Sequence, residues 1–523
     1  MSKESALLSE AIWVGSKQGS QNHPFSDNGL KWQKDTFKTL GIHFSLNITE
    51  LFGLNYKMKL KSIENTLNCW RVRNLSLVGK ICVVKTLLLP QLLYFFSVLC
   101  VKIPKKFFKQ LDTIFYKFIW NGGNDRVKRL FMCNDFNIGG LRMINPYIFA
   151  LAQKMSWVKM LLDDNYQSLW KSIELSVMET FNNRRDILWK AHPPETILSK
   201  LSSSQLAESL RTWYIVRENM VKAEFNVSFS SIGTCQSIWF NRKIRSKSKQ
   251  FFFYQDWMDR GIVYISDLLN PPHPGSKLFE ELVLDFNISP RDRRKFNFLM
   301  KNIPGDWLLK VDFDHETVFD RIKSKVVNTQ KIPKFAYSIM LEPHSPEKTL
   351  QFWNDFADLN PVNWDKVHMN NFKCSINTRI RSFYFKLFHK AIALNEFLYK
   401  IKRKDSPTCC FCKTATETYI HCFIECQVIK PIWDKIVIVI NQKSNKVIHP
   451  SLFDKMFGYE QDIFLTYLFL LFKYYIYLCK FQDKSPNFEA FKAYVASSKD
   501  VEYRIAKKKH KLVTHFRKWR FEL

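Results

Sequence analysis

Two short segments near the amino terminus have the apolar pattern of β-strands. Residues 11–14 are an apolar run, Ala-Ile-Trp-Val, and in residues 40–46 Leu40, Ile42, Phe44 and Leu46 alternate with polar or small residues. Alternation with a period of two places one face of a β-strand against a core. We therefore predict a short N-terminal β-hairpin from these two segments, with the polar residues 15–29 as its long connection.

From residue 54 onward the apolar residues recur at helical spacing. As in an amphipathic helix, one stripe holds Leu60, Ile63, Leu67 and Trp70. Ser76 is placed to cap a second helix, which Pro90 should kink or end. Pro104 suits the first turn of a third helix, which residues 121–123, Asn-Gly-Gly, should stop. Residues 146–162 are predicted to form a fourth helix.

The rest of the chain also has mostly helical patterns. Residues 166–370 carry helical patches and turn signals, with a possible boundary near residue 270, and residues 376–400 have the spacing of one amphipathic helix. With 15 Gly and 19 Pro among 523 residues, the composition favours long helices over a loop-rich all-β design. We predict a mainly α fold after the short N-terminal β-hairpin.

The chain is strongly basic. It has 79 Lys and Arg against 48 Asp and Glu, a formal net charge of +31 that is spread over the whole length. Basic chains gain affinity for nucleic acids by displacing counterions from phosphates. The charge therefore favours a nucleic-acid partner, and a solvated lysine-rich surface is the alternative.

Two apolar stretches have the character of membrane spans. Residues 81–100 contain Lys85 and Pro90, and residues 463–479 are interrupted by Lys473. Neither offers about 18 uninterrupted apolar residues, so we predict buried core helices and no membrane partner. The first ten residues carry charges and no apolar segment. We therefore expect an intracellular protein of the nucleus or cytoplasm that is not secreted.

The densest group of thiol side chains begins at residue 409. The spacing Cys-x2-Cys-x8-His-x4-Cys is formed by Cys409, Cys412, His421 and Cys426. Thiolate and imidazole ligands at such a spacing complete a tetrahedron around Zn²⁺, and four protein ligands make the site structural rather than catalytic. Cys410 and Cys422 are alternative ligands. A cysteine-rich apolar segment without metal is the competing interpretation.

Polymerase chemistry requires paired aspartates that hold Mg²⁺. The only adjacent pair is Asp163-Asp164, which ends a helical pattern, so a surface pair at a helix end is favoured over a metal site. The sequence contains no Walker-type loop and no HExxH or GxSxG motif. No catalytic residue is therefore predicted.

Several segments resemble LINE-type (non-LTR retrotransposon) reverse transcriptases. Residues 9–15 are similar to the Lys-Thr-Glu strand that closes the palm of that family, although Ser9 replaces the usual Thr, and residues 37–42 look like its Tyr-Leu-Gly-Ile element. Residues 70–80 resemble the thumb signature of a Trp, then Leu-Ser, then Gly-Arg or Gly-Lys. The segment that resembles the reverse-transcriptase zinc-binding domain matches at Arg379, Arg381, Cys409, Cys412, Glu417, Thr418, His421, Cys426 and Trp433.

The resemblance implies an order of regions. They are a palm remnant hairpin at residues 1–50, a helical thumb at 51–165, a helical connector at 166–370, a zinc-binding domain at 371–450 and C-terminal helices with a basic tail at 451–523. The family is an RNA-directed DNA polymerase, but its palm motif, fingers and endonuclease would lie upstream of this chain. We therefore expect a truncated fragment that holds structural zinc and has no polymerase activity alone. Mg²⁺ is expected only if a palm is supplied elsewhere.

The resemblance also implies that the thumb and the carboxy-terminal region bind element RNA, target DNA or an RNA–DNA duplex. A helical thumb does so through phosphates and shape. In the tail, Phe516 and Trp519 are available for base stacking. The basic residues expected on exposed faces for this role are Lys57, Lys59, Lys61, Arg71, Arg73, Lys80, Arg379, Arg381, Lys507, Lys508, Lys509 and Arg517. The alternatives are a non-enzymatic helical scaffold, a membrane-associated protein, or part of an active polymerase whose palm lies on another segment.

Overall fold

Two compact units make up the chain. The first comprises Met1–Glu64, Pro90–Leu111 and Pro146–Glu342, and the second comprises Asn65–Leu89, Asp112–Asn145 and Pro343–Leu523. The computed structural model describes residues 10–24, 26, 30–99, 101–180, 188, 205–225, 236–241, 243–270, 276–309, 318–357, 362–444, 447–459, 462–520 and 523. Each unit is assembled from three separate stretches of chain. The domain ranges expected from the sequence stay predictions.

The strands of the described residues lie near the amino terminus. They are β1 (Glu10–Ala11), β2 (Lys31–Trp32), β3 (Thr36–Thr39) and β4 (Ile42–Ser45). β3 and β4 form an antiparallel hairpin with Phe37 opposite Phe44, whereas β1 pairs with β2 in parallel. A short N-terminal hairpin therefore exists, but the predicted pairing of residues 11–14 with 40–46 is wrong. The turn at Leu40 and Gly41, both with positive φ, closes a much shorter loop than residues 15–29 would. Ser9 lies outside the described residues.

Helices account for most of the described chain, which confirms the mainly α fold. The helices before residue 310 are α1 (Met58–Arg71), α2 (Leu77–Val98), α3 (Lys105–Ile119), α4 (Arg129–Cys133), α5 (Pro146–Leu162), α6 (Leu169–Thr180), α7 (Gln205–Phe225), α8 (Gln255–Asp259), α9 (Phe279–Phe286), α10 (Arg293–Met300) and α11 (Gly305–Leu309).

The helices of the carboxy-terminal part follow in the same order. They are α12 (Val318–Asn328), α13 (Ile332–Met340), α14 (Glu347–Ala357), α15 (Trp364–Lys373), α16 (Thr378–Phe388), α17 (Asn395–Lys400), α18 (Lys430–Lys443), α19 (Leu452–Phe457), α20 (Ile463–Phe481), α21 (Phe488–Lys508) and α22 (Leu512–Lys518).

Capping chemistry explains several helix ends. The Ser76 hydroxyl accepts a hydrogen bond from the Gly79 N–H at 3.1 Å, so it caps the first turn of α2. Pro104 directly precedes α3, and Asn121 and Gly122 end that helix with φ angles of 54° and 80°. The predictions for these three sites and for a helix over residues 146–162 are confirmed.

Two helical predictions need correction. Of the two outcomes expected at Pro90, an end of the helix is wrong, because α2 continues past it. A wider π-helical turn, Val84–Leu88, comes just before Pro90 and leaves room for the proline ring against the preceding turn. Residues 376–400 form two helices, α16 and α17, instead of one. α16 ends because Lys390 has a φ of 53° and the Ala391 N–H donates to the Lys386 carbonyl at 2.8 Å.

Two apolar cores lie in the stretch of the first unit that begins at Pro146, among its described residues. One is formed by α5, α7, α12 and α13, and it encloses the fully buried Trp213. The other includes Trp239, Trp257 and Trp307, together with apolar side chains from both sides of residue 270. Burial of these large aromatic side chains adds to the apolar stabilisation of each core.

The second unit has a large apolar core to which α20 contributes most of its length. By length and composition, Leu77–Val98 and Ile463–Phe481 are both apolar enough to cross a membrane, despite Lys85, Pro90 and Lys473. In α20, however, most of the apolar window is buried inside the unit. That burial agrees with the predicted core helix.

Candidate metal centre

A short turn carries the first two cysteines of the cluster. Thr408 and Thr416 form an isolated antiparallel bridge. Lys413, whose φ is 57°, closes the turn by donating its N–H to the Cys409 carbonyl at 3.0 Å. As a result, the thiols of Cys409 and Cys412 lie within 4.8 Å of each other.

Of the other two cluster residues, His421 begins a π-helical turn, His421–Glu425, and Cys426 directly follows that turn. The Thr418 hydroxyl accepts a hydrogen bond from the His421 N–H at 3.1 Å, and the Cys426 N–H donates to the His421 carbonyl at 2.9 Å. A π turn closes with an i→i+5 hydrogen bond. It therefore brings residues 421 and 426 onto one side of the turn.

The ligand atoms of Cys409, Cys412, His421 and Cys426 all lie within 4.8 Å of one another. Cys409 Sγ is 3.9 Å from Cys426 Sγ, and Cys412 Sγ is 3.3 Å from His421 Nε2. Ligands at about 2.0–2.3 Å from a tetrahedral zinc ion stand roughly 3.3–3.8 Å apart. These residues fit zinc, which they would hold as a structural ion with all four positions filled by protein.

Hydrogen bonds favour the thiolate form at two of the ligands. A hydrogen bond from the Cys410 thiol lowers the pKa of Cys409 to about 4, although burial opposes this shift. Burial also opposes the shift at Cys412, but the Thr414 hydroxyl, which donates to its sulfur at 3.2 Å, and nearby backbone N–H groups lower its pKa to about 7. Burial raises the pKa of Cys426 to about 12, so a metal must displace its proton on binding.

Neither alternative cysteine belongs to the cluster of four ligands among the described residues. Cys422 is buried, and that burial raises the pKa of its thiol well above 9, as in a core thiol. Cys410 lies within 4.8 Å of Cys409 and Glu417, and its sulfur is 3.8 Å from Lys480 Nζ. Cys410 therefore belongs to the surroundings of Glu417.

A buried ion pair supports the cysteine turn. Glu417 has no exposed surface, and one of its carboxylate oxygens accepts hydrogen bonds from Lys480 Nζ at 2.6 Å and from the Asn395 N–H at 2.8 Å. Its other oxygen accepts from the Cys410 N–H at 2.9 Å. Glu417 therefore ties the cysteine turn to α17 and α20. In the sequence, only the resemblance pointed to Glu417, and no pattern indicated Lys480.

Lys80 is buried, contrary to the expectation that it lies on an exposed face. Its ammonium donates hydrogen bonds to the Phe118 carbonyl at 3.1 Å and to the Ile119 carbonyl at 3.3 Å, and also to the Asn121 side chain. A lysine is favourable at the carbonyl end of a helix. Lys80 thus fixes the end of α3 to α2.

Two other side chains that were expected to contact nucleic acid make interactions within the protein instead. The Arg381 guanidinium is half-buried, donates to the Ser375 carbonyl at 2.7 Å and lies over the Phe372 ring. Trp519 is buried, and its indole N–H donates to Glu502 at 3.0 Å, so it is not available for base stacking. Phe516 remains exposed, as expected.

The other basic side chains expected to contact nucleic acid are exposed or half-buried. Lys59 is half-buried, with its ammonium over the Phe95 ring. The exposed ones are Lys57, Lys61, Arg71, Arg73, Arg379, Lys507, Lys508, Lys509 and Arg517.

The aspartate pair lies where the sequence placed it, at the end of α5. Asp163 accepts a hydrogen bond from the Asn165 N–H at 3.0 Å, and Asp164 forms an ion pair with Lys323. Neither aspartate belongs to a cluster of potential metal ligands among the described residues.

Residues 348–433 match a family of domains described as zinc-binding in reverse transcriptase. The match contains all four cluster residues and ends at Trp433. It also covers α14, where Trp353 is fully buried and donates its indole N–H to the Phe388 carbonyl at 2.8 Å. Together, the match and the cluster support structural zinc and a protein related to reverse transcriptases.

Proposed function

We propose that this chain is related to LINE-type reverse transcriptases, binds RNA or DNA and does not polymerise nucleotides on its own. The observation that carries the proposal is the coincidence of the matched residues 348–433 with the Cys409, Cys412, His421 and Cys426 cluster. Zinc would serve this module by fixing its fold, since four protein ligands leave no position for a substrate.

Charge supports nucleic acid as the partner. The net charge of +31 favours a polyanion. Exposed basic residues occur in both units, including Lys57 and Lys61 in the first and Arg71, Arg379 and Lys507 in the second. Contacts of this kind recognise the phosphate backbone and duplex shape, not base sequence.

The proposal that polymerisation needs another chain rests on the aspartates. Asp163-Asp164 is the only adjacent pair in the sequence, and it terminates a helix, with Asp164 paired to Lys323. Two-metal catalysis needs carboxylates that converge on the same ions. This pair instead has the surroundings of a surface ion pair.

Primer extension tests the proposal in two arms. The zinc-loaded chain, a primed RNA template, deoxynucleotides and Mg²⁺ should give no extended primer. Addition of a separate palm-bearing chain tests whether this chain raises extension by a polymerase, while filter binding with the same template measures affinity directly. Extension by this chain alone would contradict the proposal, and so would failure to bind the template.

A further inference from the structure

The second unit contains a cavity of about 320 Å³ whose lining is basic and contains no carboxylate. The lining comes from the turn before α2, from the loop after α3, and from α16 and α20. Its charged members are Lys80, Arg126, Arg379 and Lys386. Most of the remaining lining is polar or aromatic, including Ser76, Asn121 and Tyr477.

These positive charges are not neutralised locally. Arg126, Arg379 and Lys386 make no ion pair with any residue that the structure describes. Burial and the neighbouring Arg126 lower the pKa of Lys386, and burial, Lys386 and Arg71 lower the pKa of Lys80 to about 8. Like charges held together in a partly buried place repel each other, and an anion between them would relieve that repulsion.

An unpaired hydrogen-bond donor is found at the same cavity. Trp120 is one of the lining residues, and its indole N–H is buried without a partner among the described residues. A buried polar group without a partner costs free energy. Because an indole N–H can only donate, its missing partner must be an acceptor.

Lys80 has a different role from the other three cations. All three N–H groups of its ammonium have acceptors within the protein, on Phe118, Ile119 and Asn121. It is therefore a positioning residue that holds the loop after α3, which carries Arg126, at the mouth of the cavity. The cations left for a ligand are Arg126, Arg379 and Lys386.

We propose that this cavity binds one phosphate group of a nucleic-acid strand. Arg126, Arg379 and Lys386 supply charged donors, and Trp120 supplies a neutral one. Phosphate matches this set because it is an anion with several acceptor oxygens, and guanidinium groups bind it with paired hydrogen bonds. The nucleic-acid source of the phosphate rests on the proposed function, whereas the phosphate chemistry rests on the cavity alone.

The first test compares two charge-matched double variants of the full chain. Arg126→Gln/Lys386→Gln alters the cavity, and Lys404→Gln/Lys435→Gln removes two exposed lysines of the same unit. For a labelled single-stranded RNA, the cavity variant should bind at least about tenfold more weakly and show a salt slope lower by roughly one or two, while the control stays within about threefold. Equal losses in the two variants would overturn the proposal.

A second arm uses inorganic phosphate, which needs no nucleic acid. At constant ionic strength, phosphate in place of chloride should raise the melting temperature of the wild-type chain but not of the Arg126→Gln/Lys386→Gln variant. Without ligand, that variant should melt no lower than wild type, because it loses a repulsion. The single variant Lys386→Arg keeps the charge, and it should therefore bind RNA as tightly as wild type does.

The combined outcomes separate the two proposals. If RNA binds but the cavity variant behaves as the control and phosphate has no effect, the phosphate site is rejected and the proposed function stands. If RNA does not bind but phosphate stabilises only chains with an intact cavity, the cavity binds phosphate that does not come from a nucleic-acid strand. The proposed function is then rejected as well.

Discussion

The Cys412 and His421 side chains bring their ligand atoms to 3.3 Å from each other. We expect purified wild-type protein to contain zinc in equimolar amount, and Cys412→Ser and His421→Ala to lose it, because three remaining ligands hold the ion less tightly. Since structural zinc contributes about 10–16 kcal/mol to local folding, proteolysis within residues 348–433 should also become faster. Metal analysis by mass spectrometry checks the first result.

Cys422→Ser is the matched control, because this thiol lies next to His421 in sequence yet outside the ligand cluster. It should retain zinc. Zinc should also be released as the pH falls, because protons compete with the metal for His421 and the thiolates. Retention of zinc by both ligand variants would remove the assignment.

Among the residues outside the ligand set, we predict that Glu417 contributes most to the stability of the cysteine turn. Glu417→Gln leaves the Lys480 ammonium, which is only 10% exposed, without its charged partner. Breaking a buried pair in this way costs about 3–5 kcal/mol. Urea unfolding of the zinc-loaded chain measures the loss.

Glu396→Gln provides the comparison, since Glu396 pairs with Lys400 on the surface. Its cost should stay below about 1 kcal/mol. The double variant Glu417→Gln/Lys480→Met should recover part of the lost stability, because no unpaired charge remains buried. Equal destabilisation by Glu417→Gln and Glu396→Gln would contradict this role for Glu417.

Local spacing was sufficient to predict the four zinc ligands, because Cys409, Cys412, His421 and Cys426 lie on two adjacent turns. It could not predict the Glu417–Lys480 pair, since only the packing of α20 brings these residues together. It was misleading for Lys80, because a lysine near the start of an amphipathic helix has the same pattern whether it faces solvent or the end of another helix.

α20 carries a lysine in the middle of a core. Burial lowers the pKa of Lys473 from 10.5 to about 7, and its ammonium donates to the Phe469 carbonyl at 3.0 Å. Between these two pKa values the unfolded chain binds a proton that the folded chain has released, so stability rises with pH from about 7 to 10.5. Lys473→Met removes this dependence.

The measurement is urea unfolding of wild type and Lys473→Met at pH values near both ends of that window. The free energy of unfolding of Lys473→Met, minus that of wild type, should be larger near pH 7 than near pH 10 by on the order of 3 kcal/mol. Lys435→Met, on the exposed face of α18, should show no such difference. A difference between wild type and Lys473→Met that does not change with pH would contradict the assignment.

Helix ends with local signals were predictable, and those set by tertiary packing were not. Ser76, Pro104 and the Asn121 turn carry their signals in the adjacent residues. The sequence directly after α16 contains no Gly or Pro that would signal its end. At that place the His389 side chain forms a tertiary contact with the Gly139 carbonyl at 2.8 Å. The pairing of β3 with β4 was missed because Leu40, which has no turn propensity, occupies the turn.

Over the whole molecule, the two units differ in what they offer to a nucleic acid. The second contains the zinc cluster and the basic cavity, and the first offers exposed lysines of α1 and of the turn before it. Net charge and exposed residues of this kind could be predicted from composition and pattern. The cavity could not, because its lining comes from four stretches of sequence that pack together only in the folded unit.

The most direct test of the central claim is a filter-binding titration of the zinc-loaded chain with RNA and with an RNA–DNA duplex over a series of salt concentrations. The logarithm of the association constant should fall linearly with the logarithm of salt concentration, because basic side chains displace counterions from phosphates. Removal of zinc with a chelator should weaken binding by disordering the module around residues 409–426. Binding that is absent, or that does not change with salt, would contradict the account.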